Sequence, residues 1–159
     1  MIRYLLAASL FLSSCTATYY VSRHAEKEAP TQTMSSDVPL SPAGLARANA
    51  LRDTLLSRKI TRIYSTPTIR TTGTAQPLSA ATGTPIISYK AGDTTFPDRL
   101  RRARGHILIV GHSNTVDELV NGLLQKKVLN DLPDTQYGDL FIIHRKGKRM
   151  SLEQIRVGK

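Results

Sequence analysis

Four consecutive aliphatic residues at positions 107–110 constrain the fold of this chain more than any other segment does. A short apolar run of this kind, bounded by a glycine, is typical of a strand buried in a sheet. The string Gly111-His112-Ser113-Asn114 follows the run, and either Ser113 or Asn114 can cap a helix predicted over residues 115–124. The sequence therefore predicts a buried strand that leads into a helix, with a histidine at the junction.

Two other predicted strands also end close to basic side chains. One is followed directly by Arg23-His24, and the other by Ser65-Thr66-Pro67, whose proline can occupy the first position of a helix. Arg70 then lies in the first or second turn of that helix. Ligands of open α/β sheets bind where the carboxyl ends of the strands meet. We therefore expect these three side chains and His112 to lie together.

Arginine and histidine in this combination suit the chemistry of phosphoryl groups. A planar guanidinium can bind two phosphoryl oxygens, and a neutral imidazole can attack phosphorus and carry the group covalently. Arg70, near the start of its helix, lies at the positive end of the helix dipole, where anions are favoured. The residues alone indicate a phosphate site in which His24, beside Arg23, is the candidate nucleophile.

Three short motifs occur in order along the chain: Arg23-His24-Ala25, residues 65–75 and Gly111-His112. They resemble the Arg-His-Gly, Ser-Pro-x-x-Arg-x-x-x-Thr-Ala and late Gly-His motifs of the histidine phosphatase superfamily, the phosphoglycerate mutase-like group. The resemblance is strongest to its small branch that acts on phosphohistidine, and Ala25 departs from the family's glycine. It implies that His24 is the nucleophile. The implied phosphate pocket consists of Arg23, Arg70 and His112.

The resemblance also implies a general acid, a carboxylate that the segment between the second and third motifs would supply. We favour Asp93, because it is predicted in a loop just past a strand end. Asp98 is expected in the first turn of a helix, where it interacts with the helix dipole. Glu26 is a further candidate, and some relatives that act on phosphohistidine lack a clear acid. We expect no cofactor and no metal, because no cluster of residues has metal-ligand spacing.

The order of predicted elements is that of an α/β fold. Ser41 and Pro42 mark the start of one helix, and further helices are predicted over residues 68–81, 98–104 and 115–124. Strands alternate with these helices, and the last two strands, over residues 138–144 and 150–157, are predicted to form an antiparallel hairpin. We expect a three-layer α/β/α sandwich with a mostly parallel sheet, in a single domain over residues 19–159.

The first 18 residues predict that the protein is located in the cell envelope. A basic start and an apolar stretch over residues 4–12 are typical of a signal peptide, which we place at residues 1–14. The string Leu12-Ser13-Ser14-Cys15 resembles the bacterial lipoprotein box, so Cys15 is the predicted lipidation site and residues 15–18 a short tether. A buried, unmodified Cys15 is the alternative. We expect a lipid-anchored protein of the bacterial cell envelope, on the extracytoplasmic face.

The charge of the chain is strongly basic, with 22 Lys and Arg against 12 Asp and Glu and a formal net charge of +10. Such a balance favours anionic partners: nucleic acid, an anionic membrane surface or phosphorylated substrates. The chain lacks Trp and has no basic stripe interleaved with aromatic residues, so we do not expect it to bind nucleic acid.

Three functions are compatible with these features. The first is a phosphatase that hydrolyses a phosphorylated small molecule or a phosphohistidine protein through a phosphohistidine on His24. The second is a phosphoglycerate mutase-type phosphoryl transfer, which would need more sequence for a lid. The third is a non-catalytic, anion-binding lipoprotein, which the presence of two Arg and two His in the motifs argues against.

Overall fold

The computed structural model describes residues 16–29 and 37–158, which form one six-stranded sheet with helices on both faces. The elements are β1 Thr16–Arg23, α1 Pro42–Leu55, β2 Arg62–Ser65, α2 Ile69–Thr82, β3 Ile86–Ser88, α3 Phe96–Arg102, β4 Gly105–Gly111, α4 Ser113–Leu124, β5 Asp139–Lys146 and β6 Arg149–Arg156. A 3-10 turn, Leu56–Arg58, follows α1.

The strand order is β3-β2-β4-β1-β5-β6. The first four strands in this order run parallel, whereas β5 pairs antiparallel with both β1 and β6. The predicted α/β fold, with a mostly parallel sheet and an antiparallel C-terminal hairpin, is confirmed.

Alternating residues of the central strands build two cores, one on each face of the sheet. Tyr19 and Val21 of β1 pack with α3 and α4, whereas Tyr20 faces α1 and α2. In β4 the residues Ile107 and Ile109 face the first core, and the intervening aliphatic residues face the second. The run at 107–110 is apolar throughout because both of its faces are covered by helices.

The predicted helix boundaries differ from the observed ones at the two junctions nearest the candidate site. Pro67 does not open α2, which begins at Ile69 after Thr68. His112 itself occupies the N-cap position of α4, so the helix begins at Ser113, earlier than expected. The start of α1 is as predicted: Ser41 accepts a hydrogen bond from the Gly44 amide at 3.2 Å, and proline follows at the first helical position.

β1 begins at Thr16, so residues 16–18 belong to the sheet, although the sequence predicted them as a tether. The predicted signal peptide, residues 1–14, and the predicted lipidation site, Cys15, lie outside the described residues. Among the residues that the structure describes, no helix is both long enough and apolar enough to cross a bilayer.

Candidate active site

Two adjacent parallel strands bring the two motif histidines together. Arg23, the last residue of β1, is in register with Gly111, the last residue of β4. The His24 amide donates to the Gly111 carbonyl at 2.9 Å. Because His112 directly follows Gly111, the rings of His24 and His112 lie with centroids 5.5 Å apart at an interplanar angle of 68°.

The surroundings of His24 set its tautomer and its charge. Nδ1 lies 2.8 Å from the Ala25 carbonyl, which can only accept, so Nδ1 carries the proton and Nε2 the lone pair. The side chain is 3 % exposed. Burial, followed by the positive charges of Arg23 and Arg70, lowers the pKa of His24 to about 3. The imidazole is therefore neutral at pH 7, in the form that a nucleophile needs.

His112 is held in the opposite tautomer. Its Nδ1 lies 3.4 Å from Arg70 Nη2, a donor, so Nδ1 accepts and the proton sits on Nε2. Nε2 lies 2.9 Å from the Thr66 hydroxyl, which in turn donates to Thr71 Oγ1 at 3.0 Å. Burial, followed by the charge of Arg70, lowers the pKa of His112 to about 4. The second imidazole is thus also neutral at pH 7, and its one N–H is hydrogen-bonded to the Thr66 hydroxyl.

Arg23 is fixed in place by a loop from the far end of the chain. Its Nη1 donates to the carbonyls of Pro133, Asp134 and Gln136 at 2.8, 3.1 and 3.0 Å. Its guanidinium carbon lies 4.3 Å from the centroid of the Tyr137 ring. The Arg23 Nε is buried and has no hydrogen-bond partner among residues 16–29 and 37–158. A rigid guanidinium with an unused N–H is suited to bind an anion's oxygen.

Arg70 is the second residue of α2, close to the helix N-terminus. It contacts His112 as described above, and its Nη1 lies 3.3 Å from an oxygen of the Asp37 carboxylate. The same carboxylate accepts the amide of Ile69 at 3.0 Å. Asp37 thus orients the guanidinium and caps the helix on which it stands.

These side chains line one open cavity of about 460 Å³. Its wall consists of Arg23, His24, Lys27, Arg70, Ala91, Gly92, His112, Ser113, Asn114, Thr115, Glu118 and Asp134. Three of these residues are cations, two are carboxylates and two are neutral histidines. Asp134 is 94 % exposed, so the buried part of the cavity is positive and complementary to a phosphoryl group. Within the described residues, no group of three His, Cys, Asp or Glu could hold a metal ion.

A family model matches the part of the chain that carries three of the four motif side chains. Residues 19–91, which contain Arg23, His24 and Arg70, match the model of the histidine phosphatase superfamily, branch 1. Over these residues the chain is similar to the histidine phosphatase superfamily. No match was found among curated proteins.

Solved structures share the fold of this chain along most of its length. The protein histidine phosphatase SixA, complexed with tungstate, is 16% identical; the match covers 87% of this chain and 96% of that chain, with a TM-score of 0.69. A mycobacterial glucosyl-3-phosphoglycerate phosphatase is 16% identical, with coverage of 90% and 100% and a TM-score of 0.67. A phosphoglycerate mutase from Bacillus anthracis is 15% identical, with coverage of 89% and 93% and a TM-score of 0.66.

Asp93, the general acid predicted from the sequence, does not line the cavity of His24. Its carboxylate accepts from the Thr95 amide at 2.9 Å, the Thr95 hydroxyl at 2.7 Å and Arg99 Nη2 at 2.8 Å. The hydrogen bond from Arg99, followed by those from Thr95, lowers the pKa of Asp93 to about 2. A carboxyl group that is ionised at every physiological pH is unsuited to donate a proton.

The two alternative acids do not line this cavity either. Glu26 forms an ion pair with Arg47 at 2.6 Å, and the hydrogen bond from Arg47 lowers the pKa of Glu26. Asp98 lies in the first turn of α3, as the sequence predicted. The carboxylates that do line the cavity are Glu118 and Asp134, neither of which the sequence singled out.

The sequence analysis did not identify two supporting residues, Thr74 and Tyr137. The Thr74 hydroxyl accepts the Ala25 amide at 2.9 Å and donates to the Arg70 carbonyl at 2.7 Å, which links the first two motifs. Thr74 is the threonine of the second motif, so the motif could have indicated its place beside the site. The Tyr137 ring lies 6.1 Å from the His24 ring, but no sequence pattern connects two residues so far apart along the chain.

Proposed function

We propose that this chain is a phosphatase that hydrolyses a phosphomonoester or a phosphohistidine through a covalent phosphohistidine on His24. The observation that carries the proposal is the state of the His24 ring. It is buried, neutral and proton-bearing at Nδ1, and Arg23, Arg70 and His112 surround it. A neutral imidazole among cationic and hydrogen-bonding groups is matched to a phosphoryl group.

The proposed reaction has two displacements. The Nε2 lone pair of His24 attacks phosphorus, and the bond from phosphorus to the leaving group breaks in line with it. The leaving group takes up a proton and departs. Water then attacks the phosphohistidine and loses a proton to the solvent, while the P–N bond breaks and its electron pair returns to Nε2. Arg23, Arg70 and His112 bind the phosphoryl oxygens in both steps and stabilise their charge.

Glu118 is the residue that we propose as the source of the leaving-group proton. It stands on α4 and lines the phosphate cavity, whereas Asp93 is held by Arg99. Turnover of an alkyl phosphate, whose alkoxide leaves poorly, should then fall at least tenfold in Glu118→Gln. Turnover of p-nitrophenyl phosphate, whose leaving group needs no proton, should change less than threefold. Equal losses for both substrates would contradict this role.

A second cavity of about 410 Å³ adjoins the phosphate cavity and supports a monoester substrate. The two cavities share Gly92, Thr115 and Glu118, and Phe96 and Leu119 contribute to the largely apolar wall of the second. A cavity of this size suits a small organic group. It would receive the group that departs from phosphorus, and we propose a neutral or cationic leaving group with an apolar part.

The mutase alternative fits this second cavity less well. Asp93, Asp98 and Glu118 contribute three carboxylates to its lining, against the single cation of Lys90. A sugar acid phosphate carries a carboxylate beside its phosphate, and like charges in one cavity repel each other. The charge of the lining thus favours hydrolysis of a monoester or phosphohistidine over transfer within an anionic sugar acid.

The decisive assay compares the wild-type chain with His24→Ala on p-nitrophenyl phosphate and on a phosphohistidine peptide. We expect loss of at least a thousandfold in the variant, because the nucleophile is removed. His144→Ala is the matched control, since His144 is exposed on β5, outside the cavity lining. Equal turnover by wild type and His24→Ala would leave only the non-catalytic, anion-binding reading.

We also propose that Cys15 is lipidated and that the protein is attached to the bacterial cell envelope. The support is the apolar stretch over residues 4–12 followed by Leu12-Ser13-Ser14-Cys15. Labelling of cells with radioactive palmitate should give a band that is lost in Cys15→Ala. Labelling of the variant at the wild-type level would contradict the proposal.

A further inference from the structure

The end of the sheet opposite the candidate active site is set by the direction of the strands. β1, β2 and β4 run parallel, and their carboxyl ends carry the site, so their first residues meet at the opposite end. β5 is antiparallel to β1, and Lys146 pairs with Thr16, so the turn of the β5–β6 hairpin lies there as well. α3 and α4 run back across the sheet and end on the same side.

Twelve of the chain's 22 lysines and arginines lie at this end, in four segments. We call these twelve residues the basic end; they are Arg58, Lys59, Arg62, Arg101, Arg102, Arg104, Lys126, Lys127, Arg145, Lys146, Lys148 and Arg149. The segments that hold them, residues 56–62, 101–105, 124–128 and 145–150, contain neither Asp nor Glu.

Contacts between the segments show that the basic end is one continuous surface. Arg62 Nη1 donates to the Arg104 carbonyl at 3.5 Å, which joins the start of β2 to the loop before β4. Arg145 Nη2 donates to the Ala103 carbonyl at 2.5 Å, which joins the hairpin to that same loop. Lys126 and Lys148 line one surface cavity of about 270 Å³, so the loop after α4 also adjoins the hairpin.

We infer that the basic end is a docking surface for an anionic phospholipid bilayer. Cations gathered on one side of a protein are attracted to the negative surface of such a bilayer. Two exposed aliphatic side chains lie among them, Leu56 at 50% and Val128 at 45% exposure, and can enter the interface. The four segments contain no Trp, Tyr or Phe to stack on bases, so the surface fits lipid better than a nucleic acid.

The beginning of the described chain agrees with this orientation. Cys15 is joined directly to Thr16, which pairs with Lys146 inside the basic end. A lipid on Cys15 would therefore enter the bilayer beside these cations. The connection from Cys15 to the sheet would not need to be longer than it is. The eight residues of β1 hold His24 roughly 25 Å away, at the side that faces the solvent. The inference rests on charge and topology and does not depend on the proposed catalysis.

A vesicle sedimentation experiment tests the inference without the lipid. The full chain carrying Cys15→Ser is mixed with vesicles of phosphatidylcholine, alone or with a third of phosphatidylglycerol. We expect at least tenfold more bound protein on the anionic vesicles, and release in 0.5 M salt because the attraction is screened. Equal binding to both vesicles would overturn the inference.

Two double variants with the same change in net charge locate the surface. Lys146→Glu with Lys148→Glu should reduce binding to the anionic vesicles at least tenfold. Lys90→Glu with Arg156→Glu, two cations outside the basic end, should change it less than threefold. Far-ultraviolet circular dichroism checks that each variant is folded. Equal loss in both pairs, or binding to a DNA duplex without binding to vesicles, would overturn the inference.

Discussion

At the scale of single residues, His24 depends on a network that the backbone builds around it. The Ala25 carbonyl fixes the proton on Nδ1, and the Ala25 amide is in turn held by the Thr74 hydroxyl. His112 is fixed in the complementary tautomer between Arg70 and Thr66. The two imidazoles therefore differ in tautomer: His24 keeps a lone pair on Nε2, whereas His112 donates its Nε2 proton to Thr66.

The lowered pKa of His24 makes the stability of the fold depend on pH. The unfolded chain takes up the proton near the ordinary pKa of 6.5, whereas the folded chain resists it down to about 3. The free energy of unfolding should therefore fall as the pH falls below 6.5, by about 2 kcal/mol at pH 5 from this residue. Urea unfolding at pH 7 and pH 5 measures this difference. Between the two pH values, the free energy of unfolding of His24→Asn should fall by about 2 kcal/mol less than that of wild type. A control, His144→Asn, should follow wild type, and an unchanged pH dependence in His24→Asn would contradict the account.

Removal of the Thr74 hydroxyl should disturb His24, the proposed nucleophile, although the two side chains are linked only through Ala25 and Arg70 in the contacts described above. In Thr74→Val the buried Ala25 amide has no acceptor, which should cost about 1–3 kcal/mol of unfolding free energy. Turnover should fall as well, because Ala25 holds the His24 ring. Thr54→Val removes a hydroxyl that donates to the Ala50 carbonyl within α1, and should stay within about 0.5 kcal/mol of wild type. Equal effects of the two substitutions would argue against a link between the motifs.

At the scale of elements, the start of α1 supports the loop that follows His24. The Glu26 carbonyl accepts the Ser41 amide at 3.0 Å, and the backbone of Gly44 packs directly against that carbonyl. A Cβ at position 44 would overlap with the Glu26 oxygen. Glycine at this position is thus explained by a close approach of two backbones.

Two glycine-to-alanine substitutions within helices should therefore have opposite effects. Gly44→Ala should lower the free energy of unfolding by about 1–3 kcal/mol, because helix and loop must separate. At Gly73 a Cβ would lie 3.5 Å from the Leu40 side chain, which is an ordinary contact. Gly73→Ala should therefore raise the free energy of unfolding by about 0.5–1 kcal/mol, because alanine has the higher helix propensity. Thermal or urea unfolding measures both, and a neutral Gly44→Ala would contradict the packing argument.

Most elements could be predicted from the sequence because their signals are local. The buried run at 107–110, the Ser41-Pro42 helix start and the hairpin around Gly147 each carry their own pattern. The start of α4 was misplaced because His112, an uncommon N-cap residue, takes the position that Ser113 or Asn114 was expected to fill. The first residues of β1 were misplaced because their pairing with β5 depends on chain more than a hundred residues away.

At the scale of the whole molecule, the site depends on contacts that no local pattern predicts. The carbonyls of Pro133, Asp134 and Gln136 hold Arg23 across more than a hundred residues. The sequence correctly placed Asp93 in a loop after a strand. Its ion pair with Arg99 and its position outside the cavity depend on the tertiary structure and could not be predicted locally. The motif residues could be predicted because adjacent parallel strands end at the same edge of the sheet. The residues that hold the motif side chains in place could not be predicted.

Binding of inorganic phosphate should stabilise the whole molecule, since the cavity exists only in the folded state. At a hundred times the dissociation constant the gain is about 2.7 kcal/mol, which is roughly 5–10 °C in melting temperature for a domain of this size. Arg70→Ala should abolish the shift, whereas Arg52→Ala, a half-buried arginine of α1 outside the cavity lining, should keep it. Chloride at equal ionic strength controls for salt. A shift that survives in Arg70→Ala would place the anion elsewhere.

Identification of the phosphorylated atom tests the central claim most directly. The enzyme is mixed with an excess of substrate, quenched in base, in which phosphohistidine is stable, and digested for mass spectrometry without acid. We predict a phosphoryl group on His24, present at early times and absent from His24→Ala. A phosphoryl group on another residue, or rapid turnover with no phosphorylated enzyme at any time, would contradict the account.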